Sequence, residues 1–517
     1  MAHPALPQLT IETFDREFAG RSLLHDVLDY WAARKPGAPA IIQFDQQRTL
    51  CWAELAALSR QVALRLSALG LGPGDCLATS LPFLAEHIVL EYACFWLGVV
   101  LAPLDLRLRP AEVESCLRAV NAKLRVTADN LSDLLEGEVS GDLPSQVQPD
   151  DGALVIFTTG STGSSKPALL SHRNITVQNM CLGGAFGFRE DMRVLVNLPP
   201  SHVGGQTEAL MTTLFYGGTA VVLSAFDPAR SLQAISQCRV NLIGQIPAMF
   251  QFEWRRPEYA TADLSSLEIV LYGGQQAPLP MLERMAAMAP RVATGLGLTE
   301  CAGFCTYTPP GMALADMAEA VGFDMPAYPM SIRREMRPDG SAGDELPDGE
   351  IGHVCFRGPQ TFLGYVNDPE ATRRTISSDG WLYTGDLGAR GPHGLRLAGR
   401  AKWVIKPAGY QVFPGDVENH FLQLPQVAAC GVVGAPHRTL SEAVVAFIEL
   451  KPGAGLTVQQ LRQHARGIAS YMRPLHYVVL EPGQLPLNRL AKTDYVRLSE
   501  MADQEIRNLR AAGRWDD

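Results

Sequence analysis

The sequence lacks an apolar run long enough to cross a membrane. Its longest, residues 92–104, is about 13 residues, whereas a helix needs about 20 to span the hydrocarbon core. Residues 1–18 carry Pro, Asp and Glu where a signal peptide needs an apolar segment. These absences predict a soluble, cytoplasmic chain without a transmembrane segment.

Paired cysteines and excess positive charge are also lacking. The ten cysteines are scattered without a C-x-x-C pair, and Cys301 and Cys305 have no matching His/Cys cluster in the sequence. They predict reduced core thiols, not a disulfide framework or a zinc site. A formal net charge of −10 argues against nucleic acid as the main partner, because phosphate-backbone binding requires a basic face.

Lysine is scarce, with seven residues among the 44 of Lys and Arg together. Arg is therefore the usual basic residue, and a lysine in this chain indicates that a flexible point charge is needed there. Four of the seven fall in the motifs described below: Lys166, Lys402, Lys406 and Lys492.

The 517 residues, 47% apolar and 19% charged, can bury large cores in more than one domain. Strand-like and helical runs alternate along much of the chain, which predicts α/β layers. After Asp386 the runs become shorter and hairpin-like, and a compact segment runs from about Ala401 to the end. Strands are predicted at 40–44, 75–80, 153–157, 193–198, 220–223, 242–246 and 269–272, and helices at 52–69 and 86–97.

A Ser/Thr/Gly-rich segment, TTGSTGSSKP at residues 158–167, follows the apolar strand 153–157. Glycines let backbone approach an anion closely, hydroxyls donate hydrogen bonds, and a lysine supplies positive charge, so the segment predicts a polyphosphate-binding loop. Ser165 and Pro167 flank the lysine and exclude the P-loop pattern G-x-x-x-x-G-K-[ST]. The predicted phosphate-binding residues are Thr158, Thr159, Gly160, Ser161, Thr162, Gly163 and Lys166.

This loop resembles the signature of the acyl-adenylate-forming superfamily of acyl-CoA synthetases, peptide-synthetase adenylation domains and luciferases. The family pattern ends Thr-Gly-x-Pro-Lys-Gly, and this chain differs at Ser165 and Pro167. The resemblance implies an α/β fold in two parts: a large N-terminal domain of layered α/β subdomains over residues 1–400, and a small mobile α+β domain over 401–517. Further segments match in the family's order.

The segment GLGLTE at residues 295–300 is similar to the family's Tyr-Gly-x-Thr-Glu motif. By that resemblance Thr299 contacts the α-phosphate and Glu300 binds Mg²⁺, which prefers oxygen ligands. Leu296 stands where an aromatic residue normally stacks on adenine, followed by Gly297. The upstream segment YGGQQA resembles the turn that packs the other face of adenine, which implies contacts from Gly273, Gly274 and Gln275.

The segments GWLYTGD at 380–386 and GRAK at 399–402 give the most specific resemblance. It implies that Asp386 accepts hydrogen bonds from the ribose hydroxyls, because a carboxylate has two acceptor oxygens. Arg400 would bind ribose or phosphate oxygens with its fork of donors. Lys402 takes the hinge position, and Trp403 follows it where the family usually has an acidic residue.

The segment LPLNRLAK at 485–492 is similar to the family's P-x-x-x-x-G-K, with Ala491 in place of glycine. The resemblance places Lys492 between the substrate carboxylate and the α-phosphate, two anions that repel as they meet.

Other matches concern the acid and the thiol. The G-Y-Q-V segment and its flank imply roles in the thioester step for Lys406, Gly409 and Gln411, and the weaker match at Tyr471 and Arg473 implies contacts with the CoA nucleotide. His202 is similar to a gate histidine beside the acyl carbon. The expected acyl pocket comprises Val203, Gly204, Gly205, Tyr272 and Gly295.

Together these segments predict an AMP-forming acid–CoA ligase that uses ATP, Mg²⁺ and CoA. Alternatives are an adenylation enzyme that loads a carrier protein, a fatty-acyl-AMP ligase, for which the chain is short, and a non-catalytic adenylate-binding protein. The small Gly204 and Gly205 indicate room for an aryl, alicyclic or medium-to-long acyl group. The sequence leaves the acid and the oligomeric state open.

Overall fold

A computed structural model describes residue 3 and residues 5–136, 141, 145–158, 165–487 and 493–516. The strands are, in chain order, β1 Pro39–Gln43, β2 Arg48–Cys51, β3 Cys76–Thr79, β4 Val100–Pro103, β5 Leu124–Val126, β6 Gly152–Thr158, β7 Lys166–Ser171, β8 Arg193–Val196, β9 Thr219–Val222, β10 Leu242–Gln245, β11 Ile269–Tyr272, β12 Arg291–Thr294, β13 Gly297–Leu298, β14 Gly303–Phe304, β15 Met330–Arg333, β16 Gly352–Phe356, β17 Gly364–Tyr365, β18 Leu382–Gly391, β19 Gly394–Arg400, β20 Val427–His437, β21 Ser441–Leu450 and β22 His476–Leu480.

The helices are α1 Ile11–Glu17, α2 Leu24–Arg34, α3 Trp52–Ala68, α4 Ala85–Leu97, α5 Pro110–Ala119, α6 Leu131–Leu135, α7 His172–Phe186, α8 Thr212–Phe215, α9 Pro228–Cys238, α10 Pro247–Trp254, α11 Leu279–Ala286, α12 Leu314–Met317, α13 Pro369–Thr375, α14 Pro414–Leu422, α15 Val458–His464 and α16 Tyr495–Ala511. A π-helix, Gly204–Met211, leads directly into α8. In the part of the chain that the structure describes, no helix is both long and apolar enough to cross a bilayer.

Two large sheets form the N-terminal part. The first has the order β12-β11-β10-β8-β9-β1-β2, and all its neighbours are parallel except β1 and β2. The second has the order β17-β7-β6-β4-β3-β5, with parallel pairing from β6 to β5 and antiparallel pairing from β6 to β17. One core contains side chains from both sheets, from Leu6 to Leu395. The predicted α/β layers are confirmed.

Local sequence explains where the helix between these sheets begins and ends. The Ser171 hydroxyl accepts from the N–H of Asn174, whose side chain in turn caps Ser171, so α7 starts directly after β7. The helix stops at Gly187, which adopts φ 72° as a left-handed cap. Strand β7 and helix α7 therefore follow each other without a connecting loop.

A four-stranded antiparallel sheet, β15-β16-β18-β19, follows. The polar stretch 338–350 lies between β15 and β16, which pair antiparallel, so it forms the connection of a hairpin. Beyond it the three-stranded sheet β20-β21-β22 with α14, α15 and α16 has its own cores, whose buried members run from Ile405 to Trp515. The expected large N-terminal and small α+β C-terminal parts are thus confirmed.

Candidate active site

One large cleft, of about 1780 Å³, lies at the carboxyl ends of the parallel strands β8, β9, β10, β11 and β12. Such an edge is the usual ligand site of an open α/β sheet. The β18–β19 hairpin forms another wall, and residues 493–496 of the C-terminal part close a further side. Most residues singled out from the sequence meet around this cleft.

The phosphate-binding loop joins two antiparallel strands. Thr158 ends β6 and Lys166 begins β7, and the two are direct cross-strand partners that both line the cleft. Between them, the predicted Thr159, Gly160, Ser161, Thr162 and Gly163 lie outside the described residues, as does Lys492. The strand ends therefore fix where the loop must start and finish.

Glu300 is held by a tyrosine that the sequence analysis did not identify. The Tyr365 hydroxyl donates to Oε1 of Glu300 over 2.6 Å, and the Lys166 ammonium lies 5.0 Å from the centre of the Tyr365 ring. Burial, followed by the Glu300 charge, raises the pKa of Tyr365, so the hydroxyl keeps its proton. A cation, a phenol and a carboxylate are thereby aligned at the cleft. The sequence signal that could have identified Tyr365 was the Gly-Tyr pair before a Pro-containing turn.

Glu300 fits a Mg²⁺ site in which the substrate supplies some of the metal ligands. The ion takes one or two carboxylates and completes its shell with phosphates and water. The described residues contain no cluster of three or more His, Cys, Asp or Glu that could hold a metal on their own, so phosphate oxygens would have to supply ligands. Thr299 precedes Glu300 in a 3-10 turn and also lines the cleft.

The turn before Thr299 is fixed by packing. A Cβ on Gly295 would lie 1.9 Å from the carbonyl oxygen of Thr306, so only glycine fits there. The N–H of Leu296 donates to the Thr306 hydroxyl over 2.8 Å, and the Leu296 side chain is 8% exposed and packs in the core. Gly297 is exposed in the cleft.

The proposed adenine turn, Gly273 to Gln275, lines the cleft and has Gly274 at φ 82°. Tyr272 reaches the cleft too, but its ring packs in the second core, 1% exposed. Its hydroxyl lies 3.5 Å from the backbone oxygen of Met317. The ring therefore does not take the place of the aromatic residue missing at Leu296.

Asp386 and Arg400 are partners across the β18–β19 hairpin. Nε of Arg400 lies 2.7 Å from Oδ1 of Asp386, and both residues line the cleft. Next to them, burial and then the charge of Arg400 lower the pKa of Lys402 to about 8. The Lys402 ammonium lies 4.3 Å from the Trp403 ring centre, and that ring stacks on Tyr495 at 5.5 Å.

The expected acyl side of the cleft is built on the π-helix, a rare element that is frequent at functional sites. Nδ1 of His202 accepts from the N–H of Gly204 over 3.0 Å, so a neutral ring carries its proton on Nε2. Val203 and Gly204 line the cleft. Gly205 does not, which corrects the prediction: a Cβ there would lie 2.6 Å from the Leu198 carbonyl, so Gly205 serves helix packing.

Beyond His202 the cleft continues along the face of the first sheet. Its wall there includes small and apolar residues, none of which the sequence analysis assigned: Phe188, Ala209, Leu242, Gly244, Leu271 and Phe304. Leu242 begins β10 and Gln245 ends it, so the slot runs the length of a strand, about 10 Å. One ionisable group, Glu208, lines the same region.

The residues assigned to the thiol step are not in the cleft. Gly409, at φ 86°, has no atom within 4 Å of a Cβ position, and the next residue, Tyr410, stacks on Tyr471 at 4.6 Å and 12°. Both rings are exposed. The two separate sequence matches therefore meet on one exposed surface, together with Gln411 and Arg473, and Lys406 lies near it with its N–H on Glu442.

Comparisons with known proteins agree with this arrangement. Residues 28–366 match the family described as AMP-binding enzyme, and residues 416–492 match the AMP-binding enzyme C-terminal domain. The chain is 31% identical over 445 residues to feruloyl-CoA synthase of Amycolatopsis sp, covering 82% of this chain and 89% of the relative. It is 30% identical over 501 residues to indoleacetate–CoA ligase of Aromatoleum aromaticum, covering 91% and 96%.

Among solved structures, ATP-bound MatB from Rhodopseudomonas palustris is similar, with a TM-score of 0.83, 25% identity, and coverage of 93% of this chain and 99% of that one. The chain belongs to the AMP-binding enzyme family. The resemblance drawn from its motifs is confirmed.

Proposed function

We propose that the chain joins an aromatic carboxylic acid to CoA in two steps through an acyl-AMP. The wider prediction of an AMP-forming acid–CoA ligase is confirmed by the family and by its CoA ligase relatives. The observation that carries the aromatic acid is the part of the cleft from His202 along β10 to Phe188, whose lining includes apolar residues and the small Gly204 and Gly244. Two relatives that span most of the chain are named for aromatic acids.

In the first step a carboxylate oxygen attacks the α-phosphorus of ATP, and pyrophosphate leaves. Negative charge rises where the two anions meet, so fixed positive charge lowers the barrier. Lys166 at the start of β7 and Thr299 in its turn both line the cleft and would contact the phosphates, and the predicted Lys492 would supply the charge between the two anions. Glu300, oriented by Tyr365, would hold the Mg²⁺ that neutralises phosphate charge.

Asp386 would take the ribose hydroxyls. It lies at the base of the hairpin that ends in Arg400 and Lys402, so nucleotide recognition and the hinge share one element. Arg400 is half exposed, which leaves its fork able to turn to a ribose or phosphate oxygen.

In the second step the CoA sulfur attacks the acyl carbon, AMP leaves, and the thiol proton is lost. Residues 493–496 line the cleft while Gly409 does not, which supports an arrangement suited to the first step. Rotation of residues 401–517 about Lys402 would exchange Lys492 for Gly409, a hinge motion of a small domain.

The exposed surface that carries Gly409, Tyr410 and Tyr471 favours CoA over a carrier protein as the acceptor of the acyl group. CoA has an adenine and a 3′-phosphate, whereas a carrier's pantetheine arm has neither. The Tyr410–Tyr471 stack offers an aromatic face, and Arg473 bonds to the backbone of Arg466 in an exposed basic cluster. A cytoplasmic location is supported by the ten cysteines, all described, all free and nine of them buried.

The test is a panel of aryl, alicyclic and fatty acids with ATP and Mg²⁺, scored for pyrophosphate release and then for acyl-CoA by mass. Acid-dependent pyrophosphate release with aryl acids preferred, followed by a CoA thioester, is expected. Release without a CoA thioester, together with transfer to a pantetheinylated carrier protein, would make the acceptor a carrier. ATP binding without any release would indicate an adenylate-binding protein.

A further inference from the structure

One ionisable side chain in the acyl pocket has no part in this mechanism. Glu208 lies on the π-helix and lines the cleft. Val203, Ala209 and Phe304 line the cleft near it, and two polar side chains, Gln178 and His202, also lie close to its carboxyl group. In a largely apolar pocket, a few polar groups of this kind set specificity.

Glycines on both sides make room for the Glu208 carboxyl group. A Cβ on Gly303 would lie 2.8 Å from its Cγ, and one on Gly297 would lie 3.2 Å from Oε1. On the other side, the Cβ position of Gly204 is 3.6 Å from Oε2 and 3.1 Å from Nδ1 of His202. The carboxyl group therefore lies beside the gate histidine, where the slot begins.

Glu208 has no charged partner among the residues that the structure describes. The backbone N–H of Phe304 donates to its carboxyl group, and no Lys or Arg in the described ranges contributes to its charge balance. Burial raises the pKa of Glu208 to about 8, so at neutral pH the group mostly carries its proton. A protonated carboxyl both donates and accepts a hydrogen bond.

We propose that Glu208 selects acids whose acyl group carries a neutral hydroxyl, by exchanging hydrogen bonds with it. This rests on the proposed function, since it assigns the substrate class of the same pocket. A hydroxyl both donates and accepts, as the protonated carboxyl does. A methyl group of the same size would leave the Glu208 carboxyl group without a hydrogen-bond partner, and this loss strongly weakens binding of the methyl-substituted acid.

The test compares aryl acids that differ only in one ring substituent, hydroxyl, methyl or amino, at each ring position, in wild type, Glu208→Leu and Glu208→Ala. Acid-dependent pyrophosphate release gives kcat/KM for each. We expect wild type to prefer the hydroxyl acid over its methyl partner at one position by at least about 10-fold. In the Leu and Ala variants that ratio should fall to near one while the KM for ATP stays unchanged.

Glu253→Gln is the matched control, because Glu253 is another buried carboxyl with its pKa raised, to about 7, but it does not line the cleft. It should keep the wild-type ratio. If wild type prefers the methyl- or amino-substituted aryl acid over the hydroxyl-substituted one at every ring position, the proposal is overturned. A hydroxyl-to-methyl ratio that Glu208→Ala leaves unchanged would also overturn it. If no acid releases pyrophosphate, the proposed function itself fails, which is a distinct result.

Discussion

Nε of Arg400 lies 2.7 Å from Oδ1 of Asp386, and the two residues are direct partners on antiparallel strands. Fourteen residues apart in sequence, they come together because a hairpin folds β18 onto β19. Cross-strand neighbours of opposite charge stabilise such a pair. The carboxylate that should bind ribose is therefore held in place before nucleotide arrives.

Replacing this carboxylate should weaken ATP binding. Asp386→Asn keeps the shape but removes the charge that strengthens hydrogen bonds from ribose hydroxyls. We expect the KM for ATP to rise about 10- to 100-fold, the range for one charge-assisted hydrogen bond of about 1.5–3 kcal/mol, with little change in the KM for the acid. Glu345→Gln is the control: it breaks the Arg390 pair on the same sheet, away from the cleft. Equal effects from both variants would contradict the assignment.

Metal dependence should report on Glu300. Glu300→Gln is expected to raise the Mg²⁺ concentration for half-maximal pyrophosphate release at least about 10-fold, because an amide is a poor ligand for a hard cation. Tyr365→Phe removes only the orienting hydrogen bond, so a smaller shift, below about 10-fold, is expected. A larger effect from Tyr365→Phe would assign the main role to the phenol.

The two half-reactions should separate at Lys492. Lys492→Ala is expected to reduce adenylate formation at least about 100-fold, as loss of a fixed transition-state charge does, while thioester formation from supplied acyl-AMP changes little. Lys451→Ala removes another lysine of the C-terminal part, whose ammonium donates to the Pro425 carbonyl, and should leave both steps intact. An equal loss of both steps in Lys492→Ala would refute its role.

Gly409 should show the opposite pattern. Gly409→Leu is expected to spare acid-dependent pyrophosphate release and to abolish most CoA thioester formation, because a bulky side chain would fill the path of the pantetheine arm. The positive φ adds strain in any case, so Gly453→Leu, also at positive φ with open space around it, is the control. If the control loses thioester formation as well, strain and not obstruction is the cause.

Stability should fall as the pH rises, through the fully buried Glu91. Burial raises its pKa from 4.5 to about 8, and its neighbour His87, 3.5 Å away, stays neutral because burial lowers its pKa to about 4. From pH 4.5 to 8 the folded chain holds the Glu91 proton that the unfolded chain releases, so Glu91 lowers the free energy of unfolding over that window. His87 takes up a proton only in the unfolded chain and opposes this below pH 6.5, so the decrease is expected from pH 6.5 upward.

Glu91→Gln should therefore flatten the decline in Tm above pH 6.5, measured by thermal scans up to pH 9, and raise Tm at pH 9. The exposed Glu114→Gln serves as the reference. Parallel curves for all three proteins would show that Glu91 does not control the dependence.

Much of this fold and site could be predicted from the sequence because the signals are local. The strand at 269–272 and the helix at 52–69 follow from apolar spacing and agree with β11 and α3 to within one residue. Asp386, Arg400 and Glu300 lie in short contiguous motifs, so their position in the cleft followed from those motifs.

The parts that were missed depend on distant pairs. Tyr365 reaches Glu300 only because β17 adds to β7, and Glu208 enters the pocket only because the π-helix packs against the β13–β14 turn. Gly205 was assigned to the pocket because a glycine in a sequence can indicate either space for a ligand or close approach of backbone, and the sequence does not distinguish the two. The contact with Leu198 decides for backbone.

The predicted phosphate loop connects the antiparallel strands β6 and β7, so it does not run from a strand into a helix as a P-loop does. A helix end is a permanent anion trap that would hold pyrophosphate as readily as ATP. In the proposed mechanism the attraction would come from single side chains, among them Lys166 on β7 and Lys492, which lies outside the described residues. If the C-terminal part rotates as proposed, the positive charge of Lys492 would leave the site with it, so pyrophosphate release and the change of half-reaction would be coupled.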